Sequence, residues 1–576
     1  MRKRLKGYAL GTILFFIVFL PVSLNANDLE VYVIGDCEKI TKDGEIPESP
    51  HFWDSNKKLI TLHGGRNEVL GFQIMLVAKK NVKGVNIEIS DLKNEDDIIK
   101  SNPNVELFYE FYQFVDSGAY TWGPPSIVLE DNKYYPDPLI PFNDPYDNSH
   151  KPVAAPFDID ISNGTNQGIW VDVYIPKGKH PGVYNGTVDI TVEGKKVNSI
   201  GISLTVHKFT LPDEFHVDGY GEMYGFAKWD IFKRYYQMAH QHRFVVAERQ
   251  EWAPKDWKRY DEKYEGILNG KLFTKEENYY GPGEGVGVPF WIVPFPQDNF
   301  GGVRKLTDKD INKIYENAKN IWEHFKSKGW DKKRLFAYIY DEVPTSPLAL
   351  ECFSKVQDAI DKATGGKNIH LIWTSHTDPS TVFGLGNIIR WWAPNGTACN
   401  PDFLSPKALE GQTVWFYHAG HPAIGVHCVN ASGIELRTWS NICWRYKING
   451  SFWWAVDFWS KDPLRRAQYK SGEDRWGNGI LFYPGDKLST IGFSNINGPL
   501  SSLRMKAYRR GHQDYEYCYL LKNYGKGSIA DKIIKEVIPS ALTKAKGTRE
   551  WSTDENKWYE MRKKLAEELN NIPEVK

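Results

Sequence analysis

The sequence predicts a multidomain chain: an N-terminal antiparallel β-sandwich, then a (β/α)8 TIM-like barrel, then a helical C-terminal extension. Three observations carry this. At 576 residues the chain is too long for one core and divides into two or three domains. Up to about residue 212, apolar residues alternate with period two between Gly/Pro/Asn turns. Past Leu211-Pro212, short apolar runs alternate with segments of helical period, the pattern of a parallel barrel. The boundaries read as 1–26 export signal, 27–212 sandwich, 213–500 barrel and 501–576 helical segment packed on the barrel.

The signal comes first. Arg2, Lys3, Arg4 and Lys6 precede an apolar stretch from Tyr8 to Val22, with small residues around Ala26. The stretch is short for a membrane anchor, so no membrane span is expected after its removal. The mature chain is expected to begin near Asn27 and to work outside the cytoplasm, in the periplasm, at the surface or secreted. In the sandwich, Ile169, Val171, Val173 and Ile175 alternate with Trp170, Asp172 and Tyr174. Strands through Val188–Val192 and Ile200–Val206 follow. Tyr134 to Val153, dense in Pro, Asp and Asn, reads as a long irregular loop.

Eight barrel strands are predicted: Val217–Tyr224, Phe244–Ala247, Val288–Phe295, Leu335–Tyr340, Ile369–Thr374, Ile388–Trp392, Val414–Tyr417 and Phe452–Val456. Between them, a helix over Asp308–Lys328 has Thr307 as N-cap with Asp310 three residues on, and an apolar stripe of Ile311, Ile314, Ala318, Ile321, Trp322 and Phe325. Another begins at Thr345-Ser346-Pro347, with proline in its first turn. From Ser501 the chain is helical, with Gly511 expected to interrupt the first helix.

Composition narrows function. Lys+Arg and Asp+Glu are both 72, so the formal charge is zero and no basic stripe supports nucleic-acid binding. The six cysteines are dispersed and form no metal-binding cluster; an exported chain permits disulfides, but spacing assigns none. Neither metal nor cofactor is expected, and nothing fixes the oligomeric state. Aromatic residues reach 14%, with 21 Trp and 31 Tyr, and many cluster in the second half: Trp391-Trp392, Trp415-Phe416-Tyr417, Trp439, Trp444, Trp453-Trp454 and Trp459. Aromatic faces stack on the C–H faces of sugars, so the clusters point to a carbohydrate cleft, although large cores also use them.

Asp341 and Glu342 stand side by side at the end of the fourth predicted strand. The C-terminal end of a barrel strand is where active sites are built. Two carboxylates there can divide acid and stabiliser roles when their surroundings differ. The plainer reading is a charged loop start.

Several stretches together resemble glycoside hydrolase family 123 and the domain-of-unknown-function 4091 group that overlaps it. They are Tyr340-Asp341-Glu342-Val343-Pro344; Val171–Thr187 with Pro176 and Pro181-Gly182-Val183-Tyr184; Trp415-Phe416-Tyr417; Arg437 with Trp439; Tyr483-Pro484-Gly485; and Gly498-Pro499-Leu500-Ser501-Ser502-Leu503-Arg504 leading into Arg509–Tyr517. Val343 stands between Glu342 and Pro344, where the family pattern is often Asp-Glu-Pro. The resemblance implies a retaining β-N-acetylgalactosaminidase acting through the substrate's own 2-acetamido group.

In that chemistry Glu342 is assigned as general acid, and Asp341 as the anion beside the amide nitrogen. Neighbours on a strand face opposite ways, so the strand must twist or end for both to reach one sugar. Tyr417 is the candidate donor to the acetamido oxygen, and Trp373, Trp454 and Trp459 are candidate sugar platforms. Glu222 and Asp457 are candidate acceptors from sugar hydroxyls; His376, His418 and His421 are candidate hydrogen-bond partners. The Arg504–Glu516 charge cluster reads as structural, with Arg510 and Asp514 placed to pair. The substrate class is a glycan or glycoconjugate. A same-fold glycosidase of other sugar specificity, and a non-catalytic carbohydrate-binding protein, stay open.

Overall fold

A computed structural model describes residues 28–116, 130, 132–224, 229–296, 303–342, 345–418, 423–459, 462–466, 477–545 and 550–573. The expected export signal and His421 lie outside these residues.

The first domain is two stacked sheets. One is antiparallel, in the order Leu29–Ile34, Glu68–Ala78, Asn166–Ile175, Val105–Val115, Lys133–Pro141. The other includes Val82–Ile89, Gly182–Val192, Lys195–Thr210 and Leu59–Arg66. Its pairing of Lys195–Thr210 with Leu59–Arg66 is parallel, a departure from the expected antiparallel pattern. Ile169, Val171 and Val173 face Val188, Ile190 and Ile202 in the shared core. The stretch read as an irregular loop from residue 134 instead begins as a strand. Lys133–Pro141 is the outermost strand of its sheet, where a residue without an N–H costs no central ladder bond.

The second domain holds the eight expected strands, each shifted by only a few residues. They are β1 (Asp218–Met223), β2 (Val245–Glu248), β3 (Phe290–Ile292), β4 (Arg334–Ala337), β5 (Ile369–Ser375), β6 (Trp391–Pro394), β7 (Thr413–Tyr417) and β8 (Gly450–Trp453). All pairings are parallel, in the order β2-β1-β8-β7-β6-β5-β4-β3, so the barrel is closed except for a seam between β2 and β3. The helix Asp308–Ser327 has the expected capping box of Thr307 and Asp310, and Ser346 caps Pro347–Thr364.

Strand parity stacks the barrel interior in layers. At the N-terminal end, Asp218 of β1 pairs with Arg334 of β4 at 2.6 Å and accepts from the Trp415 indole at 2.9 Å. Two residues further along each strand comes a layer of rings: Tyr220, Phe290, Phe336, Trp391, Trp415 and Phe452. They contact one another with centroids 4.7–6.5 Å apart. The next inward positions, Glu222, Tyr338, Tyr417 and Trp454, form the floor of the C-terminal mouth.

The C-terminal helix Leu503–Asn523 runs unbroken through Gly511, contrary to expectation. A side chain there would put Cβ 2.5 Å from the Arg437 carbonyl, so the glycine allows close approach to the helix Gly433–Tyr446. Arg510 and Asp514 do not pair with each other. Arg510 reaches Asp36 at 2.9 Å, and Asp514 holds Arg437 at 2.7 Å. Arg504 binds Asp137 at 2.8 Å, while Lys506 and Arg509 converge on Asp172. Since Asp36, Asp137 and Asp172 belong to the sandwich, this helix clamps the sandwich as well as the barrel. Burial alone would raise the Asp172 carboxyl, but Arg509 and Lys506 hold it well below the usual range.

Candidate active site

Beyond β4 the chain continues through buried Tyr338, Ile339 and Tyr340 before reaching Asp341 and Glu342. The side chains of these two acids are 32% and 46% exposed. Glu342 takes a left-handed backbone, φ +43°, which disfavours a residue bearing Cβ. Its N–H donates to the Thr374 hydroxyl of β5 at 2.9 Å. This turn answers the strand-parity problem: the ladder has ended, and both carboxylates face one mouth. His376 and Tyr417 each lie within electrostatic reach of both.

The two acids have different company. Asp341 Oδ1 accepts from the Tyr338 phenol at 2.7 Å, and Oδ2 lies 3.6 Å from Arg249 Nη2. Arg249, just past β2, forks onto both oxygens of Glu222 and lies between the rings of Tyr224 and Tyr338 at 5.6 and 5.4 Å. Burial pushes the Glu222 carboxyl up to about 7, against the pull of Arg249. Burial would likewise drive the Arg249 proton off, but Glu222 more than offsets it and Arg249 stays charged.

Glu342 is held at a single oxygen. The Tyr417 phenol donates to Oε1 at 2.7 Å, and His376 Nε2 reaches the same atom at 2.9 Å. The His376 contact is the main reason that the Glu342 carboxyl falls below its usual value; Glu342 in turn raises the His376 imidazole. The two shifts have one cause and together favour the ion pair, a Glu342 carboxylate beside a His376 imidazolium.

The remaining expected residues divide. Trp454 is half-buried at the mouth, donating to the Tyr224 phenol at 3.0 Å, with its ring 6.2 Å from His418. His418 lies 5.9 Å from the Tyr417 ring, and burial drives its imidazole well below the usual range. Asp457 is buried, accepts from the Tyr224 N–H at 2.8 Å and is pushed up to about 7 by that burial. Its Oδ1 thus ties the end of β1 to the chain that follows β8.

Three expectations need correction. Glu222 is fully buried with both oxygens on Arg249, so it offers nothing to a sugar hydroxyl. Trp373 points outward from β5, buried against Trp392 at 5.9 Å, because the inward position belongs to Thr374. Trp459 donates to the Phe482 carbonyl at 2.8 Å and packs beside Tyr235, bridging two hydrophobic cores rather than offering a sugar platform. The tryptophan clusters are mostly core too: Trp391, Trp392, Trp415, Trp439 and Trp453 are fully buried. Sequence reading missed Arg249, Tyr338, Tyr224 and Thr374. Inward parity from Phe336 would have found Tyr338, and the charged residue just past β2 would have found Arg249.

A parallel barrel whose mouth carries two differently held carboxylates among aromatic rings is the architecture of a glycoside hydrolase. Two family models make the class definite: the glycoside hydrolase 123 N-terminal domain matches residues 47–192, and the glycoside hydrolase 123 catalytic domain matches residues 306–521. Together they span more than half of the sequence, and the chain belongs to glycoside hydrolase family 123.

The fold agrees with a solved family 123 glycoside hydrolase from Clostridium perfringens, which is 16% identical with a TM-score of 0.62, covering 94% of this chain and 97% of that one. A family 5 xyloglucanase from Bacteroides ovatus (10% identical, TM-score 0.27, covering 80% and 99%) is far more distant. So is a family 39 glycoside hydrolase from Bacteroides cellulosilyticus (11%, TM-score 0.31, covering 71% and 78%). No curated protein sequence matches the chain.

Proposed function

We propose that the protein is an exported, retaining exo-glycosidase that removes terminal β-linked N-acetylgalactosamine, or a related N-acetylhexosamine, by participation of the 2-acetamido group. The observation that carries this reading is the division between the two acids. Asp341, anchored by Tyr338 beside Arg249, suits a fixed anion facing an amide N–H. Glu342, with Oε2 turned to neither Tyr417 nor His376, suits proton delivery.

In this reading the acetamido oxygen attacks the anomeric carbon as the glycosidic bond breaks. The proton of the Glu342–His376 pair goes to the leaving oxygen. Asp341 accepts the amide N–H and offsets the positive charge of the oxazolinium. Water, deprotonated by Glu342, then opens that ring with net retention. Tyr417, now on Glu342, has a hydroxyl near enough to both acids to turn toward the acetamido oxygen and hold it in line. Trp454 and Tyr224 offer aromatic surface for the sugar.

The Clostridium perfringens relative is described for the hydrolysis of glycolipid glycans, and we extend that substrate class to this chain. Export rests on the basic and apolar N-terminus; among the described residues no helix is long and apolar enough to cross a membrane.

The test compares an aryl 2-acetamido-2-deoxy-β-galactoside with the corresponding β-galactoside. The acetamide is expected to raise kcat/KM by about 10³-fold or more, the scale of a well-placed intramolecular nucleophile. Equal rates would rule out acetamido participation.

A further inference from the structure

Glu222 has no sugar to hold, yet it is a carboxylate at an inward barrel position directly beneath the mouth. Buried ion pairs are seldom kept for stability, because apolar replacements of similar volume are often no worse. Its partner explains it. Arg249 donates to both oxygens of Glu222, which leaves neither free to carry a proton, and reaches Asp341, so in this ionised form the line reads minus, plus, minus, with one net negative charge.

Without Glu222, the guanidinium beside Asp341 would bring that sum to zero. A developing cation responds to the summed field, not to its nearest neighbour alone. The distances fit this division. Tyr338 fixes Asp341 Oδ1 at 2.7 Å, whereas Arg249 stands 3.6 Å from Oδ2, beyond hydrogen-bond length. Oδ2 therefore stays open to an amide N–H while the carboxylate is steered. The rings of Tyr224 and Tyr338 hold the guanidinium where it is.

We propose that Glu222 and Arg249 are positioning residues that act through Asp341: Arg249 orients its carboxylate, and Glu222 cancels the Arg249 charge so that the negative charge of Asp341 remains available to the oxazolinium. This rests on the acetamido reading above.

The test is a charge ladder on the full mature protein with the aryl 2-acetamido-2-deoxy-β-galactoside. Glu222→Gln leaves Arg249 uncompensated, and kcat is expected to fall about 10²-fold with little change in KM. In Arg249→Gln the isolated, buried Glu222 takes a proton, the net charge is kept, and the loss is milder. In the Glu222→Gln/Arg249→Gln double variant both charges go, and kcat is expected to recover roughly tenfold over Glu222→Gln, a non-additivity that contact loss alone does not give.

A purely structural role predicts that the double variant is the slowest. A double variant no faster than Glu222→Gln, in an enzyme that still needs the acetamide, overturns this inference alone. Equal wild-type rates with and without the acetamide overturn the acetamido reading and this inference with it. Should Glu222→Gln fail to fold, Arg249→Gln and the double variant carry the test. In both, a kcat lowered about tenfold with little change in KM supports the pair's role, and a kcat equal to wild type, or a loss beyond about 10²-fold, overturns it.

Discussion

At the scale of residues, the site turns on one strained backbone. Glu342 sits at φ +43° because the chain must leave the ladder and bring two neighbouring carboxylates to one opening. Its partner His376 gives a pH prediction whose sign is fixed by the two shifts. Glu342 raises the His376 imidazole, so the pair's proton persists above the ordinary histidine range of about 6.5, and kcat/KM falls as pH rises through that higher value. His376→Ala removes the main cause that lowers Glu342, leaving a carboxyl alone to hold the proton. The alkaline limb of the kcat/KM profile is then expected to move to lower pH, with a loss on the order of 10²-fold at pH 7. An unmoved limb would show that His376 does not hold the proton. The adjacent acids and Tyr417 were legible in the sequence because residue type and strand end coincide there. The Glu222–Arg249 pairing was not, because it joins β1 to the residue after β2 and leaves no local pattern.

At the scale of elements, parity decided what the sequence could reveal. The eight strands were legible because each is a short apolar run between helical segments. The facing of single side chains was not. Trp373 and Trp454 looked alike as tryptophans near strand ends, yet one points outward into the core and the other into the mouth. Alternation along Asn166–Ile175 set Asp172 on the face away from the shared core, and the C-terminal helix covers that face and supplies Lys506 and Arg509. Gly511, read as a break, is a contact point between helices. Asp172→Asn leaves two buried cations short of a counter-charge and is expected to cost about 3–5 kcal/mol in chemical denaturation. A change below about 0.5 kcal/mol, the scale of a surface substitution, would mean that the clamp contributes nothing.

At the scale of the whole molecule, the sandwich and barrel share one buried ionic seam along the Leu503–Asn523 helix, so the sandwich is part of the frame that holds the mouth. The order of domains was legible because the apolar period changes near residue 212; the seam was not, because its partners are more than 300 residues apart. The account stands on the division of labour between Asp341 and Glu342. It is tested most directly by kcat/KM for Asp341→Asn and Glu342→Gln on aryl 2-acetamido glycosides with poor and good leaving groups. Glu342→Gln is expected to lose about 10²–10⁴-fold on the poor leaving group and little on the good one, which needs no proton. Asp341→Asn is expected to lose a similar factor on both. Two variants with the same dependence on leaving group would contradict the account.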